Sequence, residues 1–392
     1  MECKPAITTV SLGSFISHSI TEKIDQAAGH GFKGIELFID DLEALARDNY
    51  SPPGTSEPSY DAIMDAATQV RQQCDKLDIE ILNLQPLRFY EGLVDRKSRD
   101  HILNDTLPIW MDALKILGAD TILVPSNFLS PDPETKLPRT TGDLQVIVDD
   151  LRELATRGAQ REPPIKFAYE ALAWGTHVNT WEKTWEIVQA VDRPNLGLAL
   201  DTFNIAGAIY ADPTEDNGCV GGCSNGADEI VRASLGRMVK TIDLSKLFIV
   251  QIADAERLTQ PLRPGHPYYN EEQPSRLSWS RNCRLFLCED DRGGFLPVIE
   301  ILQTILDLGW TGYLAYELFS RTLLDSDPRT PAQHAERAQR SWERLSFIEQ
   351  QRKDRTAANG IKASAAGLEE KTGNETESKT PDRRSRWSCV IM

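Results

Sequence analysis

The sequence predicts a single (β/α)8 barrel, and three observations lead to this fold class. Eight short, strongly apolar runs recur along the chain, and longer amphipathic segments separate them. Strands this short and this apolar suit a parallel sheet that helices cover on the outside. Eight strand–helix units in series favour a closed barrel over an open sheet, and the sequence contains neither a G-x-G-x-x-G motif nor a P-loop that would favour a nucleotide-binding fold.

The predicted strands are short apolar runs, several of which end in a polar residue. In chain order they are AITTVSL (6–12), GIELF (34–38), IEILNL (79–84), DTILVPS (120–126), IKFAYE (165–170), LGLALD (196–201), LFIVQIAD (247–254) and GYLAYE (312–317). Two inserts interrupt the series, YSPPGTSEPS after the second strand and the long region 255–295 after the seventh. Loops at this end of a barrel usually carry the substrate site.

The predicted helices show apolar residues at three- and four-residue spacing. The clearest of them cover 59–77, 100–118 and 142–158. Ser59 and the pair Gly142–Asp143 are suitable helix starts, and Gly118 and Gly158 are suitable helix ends.

Composition excludes several classes of protein. The formal net charge is -16, and such an acidic surface repels phosphate backbones, so nucleic acid is not an expected partner. No apolar run reaches the length of a membrane span, and the first residues lack the pattern of a secretory signal. Seven cysteines are few for 392 residues, which predicts free thiols and a cytoplasmic location.

The C-terminal region differs in composition from the rest. From residue 352 onward the chain is polar and rich in small residues, so we predict a barrel domain over 1–351 and a disordered tail over 352–392. The last four residues, CVIM, fit a prenylation motif at Cys389, with basic residues upstream. A chance match is the alternative, and we expect a membrane partner only if Cys389 is prenylated.

Polar residues end the last four predicted strands. They are Glu170, Asp201, Gln251 and Glu317. Residues at the C-terminal ends of barrel strands point into the mouth, so these side chains are expected to converge. Three adjacent carboxylates without a counterion would repel one another, and ligation by oxygen alone suits Mg²⁺ or Mn²⁺. The alternative is that each carboxylate merely ends a strand and pairs with a basic residue.

These residues also carry a resemblance to a known family. The carrying segments are VSLGSFISHSITEKIDQAAGHGFKGIELF, LNLQPLRFYEGL, FAYEALAWGTHVNTW, LALDTFNIAG, VQIADAE, LSWSRNCRLF and YLAYELFSR. Over roughly residues 6 to 350, the chain is similar to the xylose-isomerase-like barrels of sugar isomerases and epimerases. Within them it most resembles the 3-dehydroshikimate dehydratases of quinate and shikimate breakdown, particularly the fungal ones. The resemblance implies a divalent metal held by Glu170, Asp201, Gln251 and Glu317.

The reaction that the resemblance implies is a hydro-lyase step, in which 3-dehydroshikimate loses water and becomes protocatechuate. A base must take a proton from the carbon next to the ketone, and His177, in the loop after Glu170, is the first candidate. Bacterial relatives often carry a histidine three residues after the aspartate ligand, where this chain has Asn204. Asparagine cannot act as a base, but it can hydrogen-bond the substrate or a ligand. The base is therefore His177, a water or an unidentified group.

The implied substrate carries a carboxylate, so the pocket needs a cation. Arg88, after the third strand, and Arg281 and Arg284, in the segment WSRNCRLF, are the candidates. The resemblance favours Ser280 and Arg284 from that segment, although this chain lacks the Pro-Gly turn that usually follows it. Glu36, at the second strand, is expected either to support the pocket or to be a plain strand-end charge.

Two other functions stay open. A sugar or keto-polyol isomerase or epimerase of the same superfamily would share the metal site but would bind hydroxyl groups in place of a carboxylate. A catalytically silent barrel that binds a metabolite would bind metal and substrate without turnover. An abasic-site nuclease is disfavoured by the acidic charge and by the lack of several histidines for a zinc cluster.

Overall fold

The centre of the protein is a closed barrel of eight parallel strands. The computed structural model describes residues 2–222 and 225–373. The barrel strands are β1 (Lys4–Thr8), β2 (Gly34–Phe38), β3 (Glu80–Gln85), β4 (Thr121–Pro125), β5 (Lys166–Glu170), β6 (Leu196–Asp201), β7 (Leu247–Ile252) and β10 (Tyr313–Tyr316). Two short strands outside the barrel, β8 (Asp254–Ala255) and β9 (Arg284–Leu285), form an antiparallel pair. The predicted fold class is confirmed, and each of the eight predicted strands overlaps a barrel strand.

The first predicted strand is longer than the observed one. β1 ends at Thr8, and the next four residues form a 3-10 turn. Polar side chains explain the early end, because Thr9 Oγ1 accepts a hydrogen bond from Phe38 N and Ser11 Oγ accepts one from Leu318 N. These side chains join β1 to the ends of its neighbours in place of further backbone pairing.

A layer of apolar side chains lies inside the barrel below the ligand candidates. Leu123, Ala168, Ala199 and Ile249 form one buried cluster. Side chains on a strand alternate between its two faces, so residues two positions apart point the same way. Glu170, Asp201 and Gln251 each lie two positions beyond a member of this cluster and therefore also point inward.

Helices follow the strands as predicted. They are α1 (Ile20–Gly29), α2 (Ile39–Tyr50), α3 (Tyr60–Leu77), α4 (Arg96–His101), α5 (Leu107–Leu117), α6 (Leu144–Ala159), α7 (Trp181–Val191), α8 (Thr202–Ile209), α9 (Asn225–Thr241), α10 (Ser275–Cys283), α11 (Val298–Asp307) and α12 (Thr330–Gly373). The expected helix starts are confirmed, because the side chains of Ser59 and Asp143 accept hydrogen bonds from the first-turn amides of α3 and α6. Gly118 ends α5 with φ +71, a left-handed conformation that glycine adopts at little cost.

The insert 255–295 folds around α10. The β8–β9 pair joins the start of the insert to Arg284 and Leu285, and Trp279 Nε1 donates to Glu256 O. Asp254 accepts hydrogen bonds from the amides of Phe295 and Leu296, where the chain returns to the barrel. The insert therefore carries Ser280, Arg281 and Arg284 on a helix end that is anchored on both sides.

The described chain divides into two compact units at the last helix. One unit covers Glu2–Glu343, and the other begins at Arg344. α12 continues to Gly373, so residues 352–373 of the predicted disordered tail have helical backbone, in a stretch that contains several alanines and charged residues. Residues 374–392, including Cys389, lie outside the described residues. The boundary at residue 351 stays a prediction.

Two sequence predictions concern membranes and thiols. Among the described helices, none has both the length and the apolar character needed to cross a bilayer. Cys74 and Cys283 carry free thiols. The expectation of free thiols is wrong for Cys219, which is disulfide-bonded.

Candidate metal and substrate site

The four predicted metal ligands meet at the C-terminal end of the barrel. Glu170 and Asp201 end β5 and β6, Gln251 pairs with Asp201 in the register of β7, and Glu317 directly follows β10. Carboxylate oxygens of Glu170, Asp201 and Glu317 lie within 4.8 Å of one another, and all three residues are buried. We call these three residues and Gln251 the oxygen cluster.

Gln251 supplies an oxygen without a protein partner. Its Nε2 donates to Glu36 Oε2 at 2.7 Å and to Glu317 Oε1 at 3.1 Å. Its Oε1 is buried and accepts no hydrogen bond within the described part of the chain. A buried acceptor without a donor is unfavourable in a stable fold, and a metal ion would satisfy it.

Arg284 is part of the cluster. Its Nη1 donates to Asp201 Oδ2 at 2.8 Å and to Glu317 Oε2 at 3.1 Å. The guanidinium is almost fully buried and lies over the rings of Phe203 and Phe319, at 4.2 Å and 5.1 Å from their centroids. In this structure Arg284 is therefore the counterion of two ligand carboxylates.

Burial disfavours the charged forms of the cluster carboxylates. It raises the pKa of Glu317 to about 8 and that of Glu170 well above its usual range, where the charge of Glu317 adds to the effect. Burial also raises the pKa of Asp201, although Arg284 opposes this shift. These directions follow from carboxylates that share one dry site with a single guanidinium.

The donor set fits a divalent cation. When ionised, three carboxylates and one guanidinium carry two net negative charges, which one divalent ion would neutralise. All the candidate donor atoms, including the unsatisfied Gln251 Oε1, are oxygens. Hard cations such as Mg²⁺ and Mn²⁺ prefer this donor set.

Asn204 joins two of the ligand carboxylates. Its Nδ2 donates to Glu170 Oε1 and to Asp201 Oδ2, each at 2.8 Å, and its Oδ1 accepts from Ala173 N. The amide is thus occupied on both sides by the protein. Asn204 therefore contacts two of the predicted metal ligands, and its predicted role in substrate binding stays a prediction.

A cavity opens above the oxygen cluster. Its lining includes Glu170 and Glu317 together with the candidate residues Arg88, Ser280 and Arg284. The part of it that the centre of a water molecule can reach is about 110 Å³, and the cavity is open to solvent. The walls also contain Arg281, which was another candidate. Four aromatic residues complete them, and the sequence did not indicate these as wall residues: Phe38, Phe128, Trp174 and Phe319.

Two further arginines face this cavity, and of these only Arg88 has an acidic partner among the described residues. Arg88 Nη2 pairs with Asp40 Oδ2 at 2.9 Å, and both residues are partly exposed. Arg281 Nη1 contacts Gln273 Oε1 at 3.3 Å, and in the described part of the chain no Asp or Glu forms an ion pair with it. Burial and the nearby charge of Arg88 lower the pKa of Arg281. The two guanidinium groups together suit an anion.

His177 does not line the cavity. Its Nε2 lies 3.1 Å from Thr140 Oγ1, and its ring packs against the backbone of Gly142. Thr176 N donates to Asn127 O, which ties the loop after β5 to the loop after β4. The base role of His177 stays a prediction.

The contacts of the remaining candidates were not evident from the sequence. Ser280 Oγ accepts from Arg284 Nε at 3.0 Å, so this serine also contacts the arginine of the cluster. Phe319 lies two positions after Glu317, and Trp174 lies in the segment that the resemblance uses. Their positions as wall residues depend on loop paths that strand periodicity does not determine.

The barrel and its oxygen cluster define a member of the xylose isomerase-like TIM barrels. The model of that family matches residues 24–345, and the chain belongs to this family.

Individual relatives give a narrower comparison than the family does. A 3-dehydroshikimate dehydratase of Neurospora crassa is 44% identical over 351 residues, which cover 88% of this chain and 94% of that protein. A 3-dehydroshikimate dehydratase of Pseudomonas aeruginosa is 31% identical over 80% of this chain, and the match covers only 38% of that longer protein. A solved xylose isomerase-like TIM barrel/4-hydroxyphenylpyruvate dioxygenase fusion protein is 28% identical with a TM-score of 0.65, over 91% of this chain and 45% of that one.

Proposed function

We propose that this protein is a 3-dehydroshikimate dehydratase, a hydro-lyase that converts 3-dehydroshikimate to protocatechuate and water. The observation that carries the proposal is a cavity with a cluster of oxygen ligands at its base and two arginines in its wall. Such a cavity suits a small ketone that bears a carboxylate. The similarity to the Neurospora dehydratase over nearly its whole length supports the same function.

Glu170, Asp201, Gln251 and Glu317 would hold one divalent metal ion, Mg²⁺ or Mn²⁺ in our proposal. When bound there, the ion supplies Lewis-acid stabilisation of negative charge that develops on a substrate oxygen. The protein's own part is to hold the four donors in place. Asn204 does this for Glu170 and Asp201, and Arg284 does it for Asp201 and Glu317.

The substrate carboxylate would bind Arg281 and Arg88. Arg284 is less available for it, because Nη1 and Nε of Arg284 already donate to Glu317, Asp201 and Ser280. A guanidinium without a carboxylate partner gains charge-assisted hydrogen bonds when a carboxylate enters. Ser280 Oγ lines the cavity and can donate to a ring hydroxyl.

The aromatic walls would exclude water from the reacting ring. Phe128 contacts Trp174 at 6.1 Å between ring centroids, and Phe38 contacts Phe319 at 6.0 Å. The first pair joins the loops after β4 and β5, and the second joins the last residue of β2 to the loop after β10, so the walls are packed on two sides. Removal of water strengthens the interactions between the ring oxygens and the charged groups of the site.

Proton transfer remains assigned to His177 as a prediction. His177→Ala tests it, because loss of turnover with unchanged metal binding would support a role for the imidazole. Unchanged turnover would move proton transfer to a water or to Glu170 or Glu317, the carboxylates that line the cavity among the described residues.

The cytoplasmic location is likewise a proposal, supported by the composition of the chain.

The first experiment measures protocatechuate formation from 3-dehydroshikimate by ultraviolet absorbance. Metal-stripped protein is assayed alone and with Mg²⁺ or Mn²⁺, beside Glu317→Gln and the matched surface variant Glu186→Gln. We expect metal-dependent product from the wild type and from Glu186→Gln, and a loss of at least about 100-fold in Glu317→Gln, because a ligand is lost.

Other outcomes would change the assignment. Folded protein that gives no product with either metal contradicts the proposal. Turnover of neutral ketoses in its place would favour an isomerase or epimerase. Binding of metal and 3-dehydroshikimate without turnover would favour a silent metabolite-binding barrel.

A further inference from the structure

Glu36 is a fully buried carboxylate at the barrel mouth that is not among the metal ligands. It lies in β2, and three side-chain amides donate to it. Asn83 Nδ2 donates to Oε1 at 2.9 Å, while Gln85 Nε2 and Gln251 Nε2 donate to Oε2 at 2.9 Å and 2.7 Å. Both oxygens accept from amides, and Glu36 belongs neither to the lining of the cavity nor to the three carboxylates whose oxygens lie within 4.8 Å of one another.

The contact between Glu36 and Gln251 crosses the interior of the barrel. In the closed sheet, β1 and β10 separate β2 from β7. The two amides from β3 hold Glu36 from one side, and the Gln251 amide reaches it from the other. A carboxylate that is fixed on the β2–β3 side therefore determines how a side chain of β7 is oriented.

The orientation of the Gln251 amide follows from its two acceptors. Nε2 donates to Glu36 and to Glu317, which uses both amide hydrogens. When both carboxylates are ionised, rotation of the amide by 180° would place Oε1 against two carboxylate oxygens, which is repulsive. Oε1 is thereby directed away from Glu36, and it is the atom left without a partner.

We propose that Glu36 is a positioning residue that fixes the Gln251 amide so that Oε1 serves as a metal ligand. Glu36 itself does not bind the metal. This inference rests on the metal site of the proposed function, but it concerns metal affinity and not turnover. Groups that orient a metal ligand commonly change metal affinity by about 10- to 100-fold when they are replaced.

The test is calorimetric titration of Mn²⁺ into metal-stripped protein. We compare wild type, Glu36→Gln and the control Glu91→Gln, which replaces another fully buried carboxylate that makes no contact with Gln251. Glu36→Gln is expected to weaken Mn²⁺ binding by about 10-fold or more, because an amide at position 36 cannot accept as a carboxylate does. Glu91→Gln is expected to bind as the wild type does.

A second variant exchanges the two groups. In the double variant Glu36→Gln with Gln251→Glu, the amide at position 36 can donate to the carboxylate at 251, which keeps one oxygen directed at the metal. We expect it to recover much of the Mn²⁺ affinity that Glu36→Gln loses. If Glu36→Gln alone does not fold, the double variant is compared with the wild type, and Mn²⁺ binding more than about 100-fold weaker than that of the wild type would contradict the inference.

Several results would overturn the inference. They are wild-type Mn²⁺ affinity in Glu36→Gln, equal losses in Glu36→Gln and Glu91→Gln, and a double variant that binds Mn²⁺ no better than Glu36→Gln. If Glu36→Gln binds normally while the wild type turns over 3-dehydroshikimate, this inference fails and the proposed function stands. If Mn²⁺ affinity changes as expected and no product forms, the inference stands and the proposed function fails.

Discussion

At the scale of single residues, the arginines at the end of α10 divide two tasks that the sequence could not separate. Arg284 is buried between Phe203 and Phe319 and donates to the carboxylates of the oxygen cluster. Arg281 faces the cavity beside Arg88. The family resemblance favoured Arg284 for the substrate, and that role stays a prediction. The contacts favour Arg281 for the carboxylate.

Arg281→Gln should weaken substrate binding. We expect KM for 3-dehydroshikimate to rise by about 10- to 100-fold, because charge-assisted hydrogen bonds to the carboxylate are lost, while kcat changes little. Steady-state kinetics of the metal-loaded enzyme measure both constants.

The control is Arg276→Gln on the same helix. Arg276 pairs with Asp212 and donates to Gly207 O, and it does not line the cavity. An unchanged KM in Arg281→Gln, or the same change in both variants, would remove Arg281 from the substrate site.

At the scale of elements, the loops after β3 and β4 are joined by a buried carboxyl group. Glu91 Oε1 accepts from Asn127 N at 2.5 Å and from Tyr169 OH at 3.2 Å. Burial raises the pKa of Glu91 to about 8. The folded state therefore favours the protonated form over a range of pH in which the unfolded chain ionises.

The stability of the fold should depend on pH through Glu91. Below pH 4.5, the pKa of Glu91 in the unfolded chain, Glu91 is protonated in both the folded and the unfolded state. The contribution of Glu91 to the free energy of unfolding is therefore fully present there. Between pH 4.5 and about 8 only the folded state holds it, so this contribution is lost as pH rises through that window. Glu91→Gln removes the titration, and we expect it to reduce the difference in unfolding free energy between pH 5 and 8.5 by roughly 2–4 kcal/mol.

Urea unfolding at both pH values measures this difference. The exposed variant Glu186→Gln serves as the control and should keep the wild-type dependence. A Glu91→Gln profile that runs parallel to the wild type would show that Glu91 does not titrate in this window.

At the scale of the whole molecule, every site residue lies in one of the two compact units. The unit Glu2–Glu343 contains the barrel, the insert and all the residues of the cavity and of the oxygen cluster. The chain beyond residue 351 is polar and poor in large apolar residues. A segment of this composition buries little apolar surface.

A chain that ends at residue 351 should therefore keep its function. We expect kcat/KM and the thermal unfolding midpoint to stay close to those of the full chain, because the described residues beyond 351 contribute no part of the site. Assays of the full chain, of a chain ending at 373 and of the shorter chain test the predicted boundary. A drop that appears only in the shorter chain would place the domain end within 352–373.

Local patterns in the sequence were enough to predict the barrel and the convergence of four oxygen-bearing side chains at its mouth. Apolar runs give the strands, and the polar residue that ends a run is directed by strand periodicity alone, which is why Glu170, Asp201, Gln251 and Glu317 could be predicted before the fold was known. The start of α3 at Ser59 and of α6 at Asp143 also follows from local capping chemistry.

The sequence by itself thus determined the fold class and which four oxygen-bearing side chains meet at the barrel mouth, while their role as metal ligands stays a prediction. Only the tertiary structure decided which arginine is available, that His177 lies beside Thr140, that Asn204 joins two ligands and that Glu36 orients Gln251 across the barrel. The physical reason is the distance along the chain over which each effect acts. Periodicity and capping act within a few residues, whereas these contacts join groups that chain folding brings together from distant strands and loops, and their donors and acceptors are selected by burial.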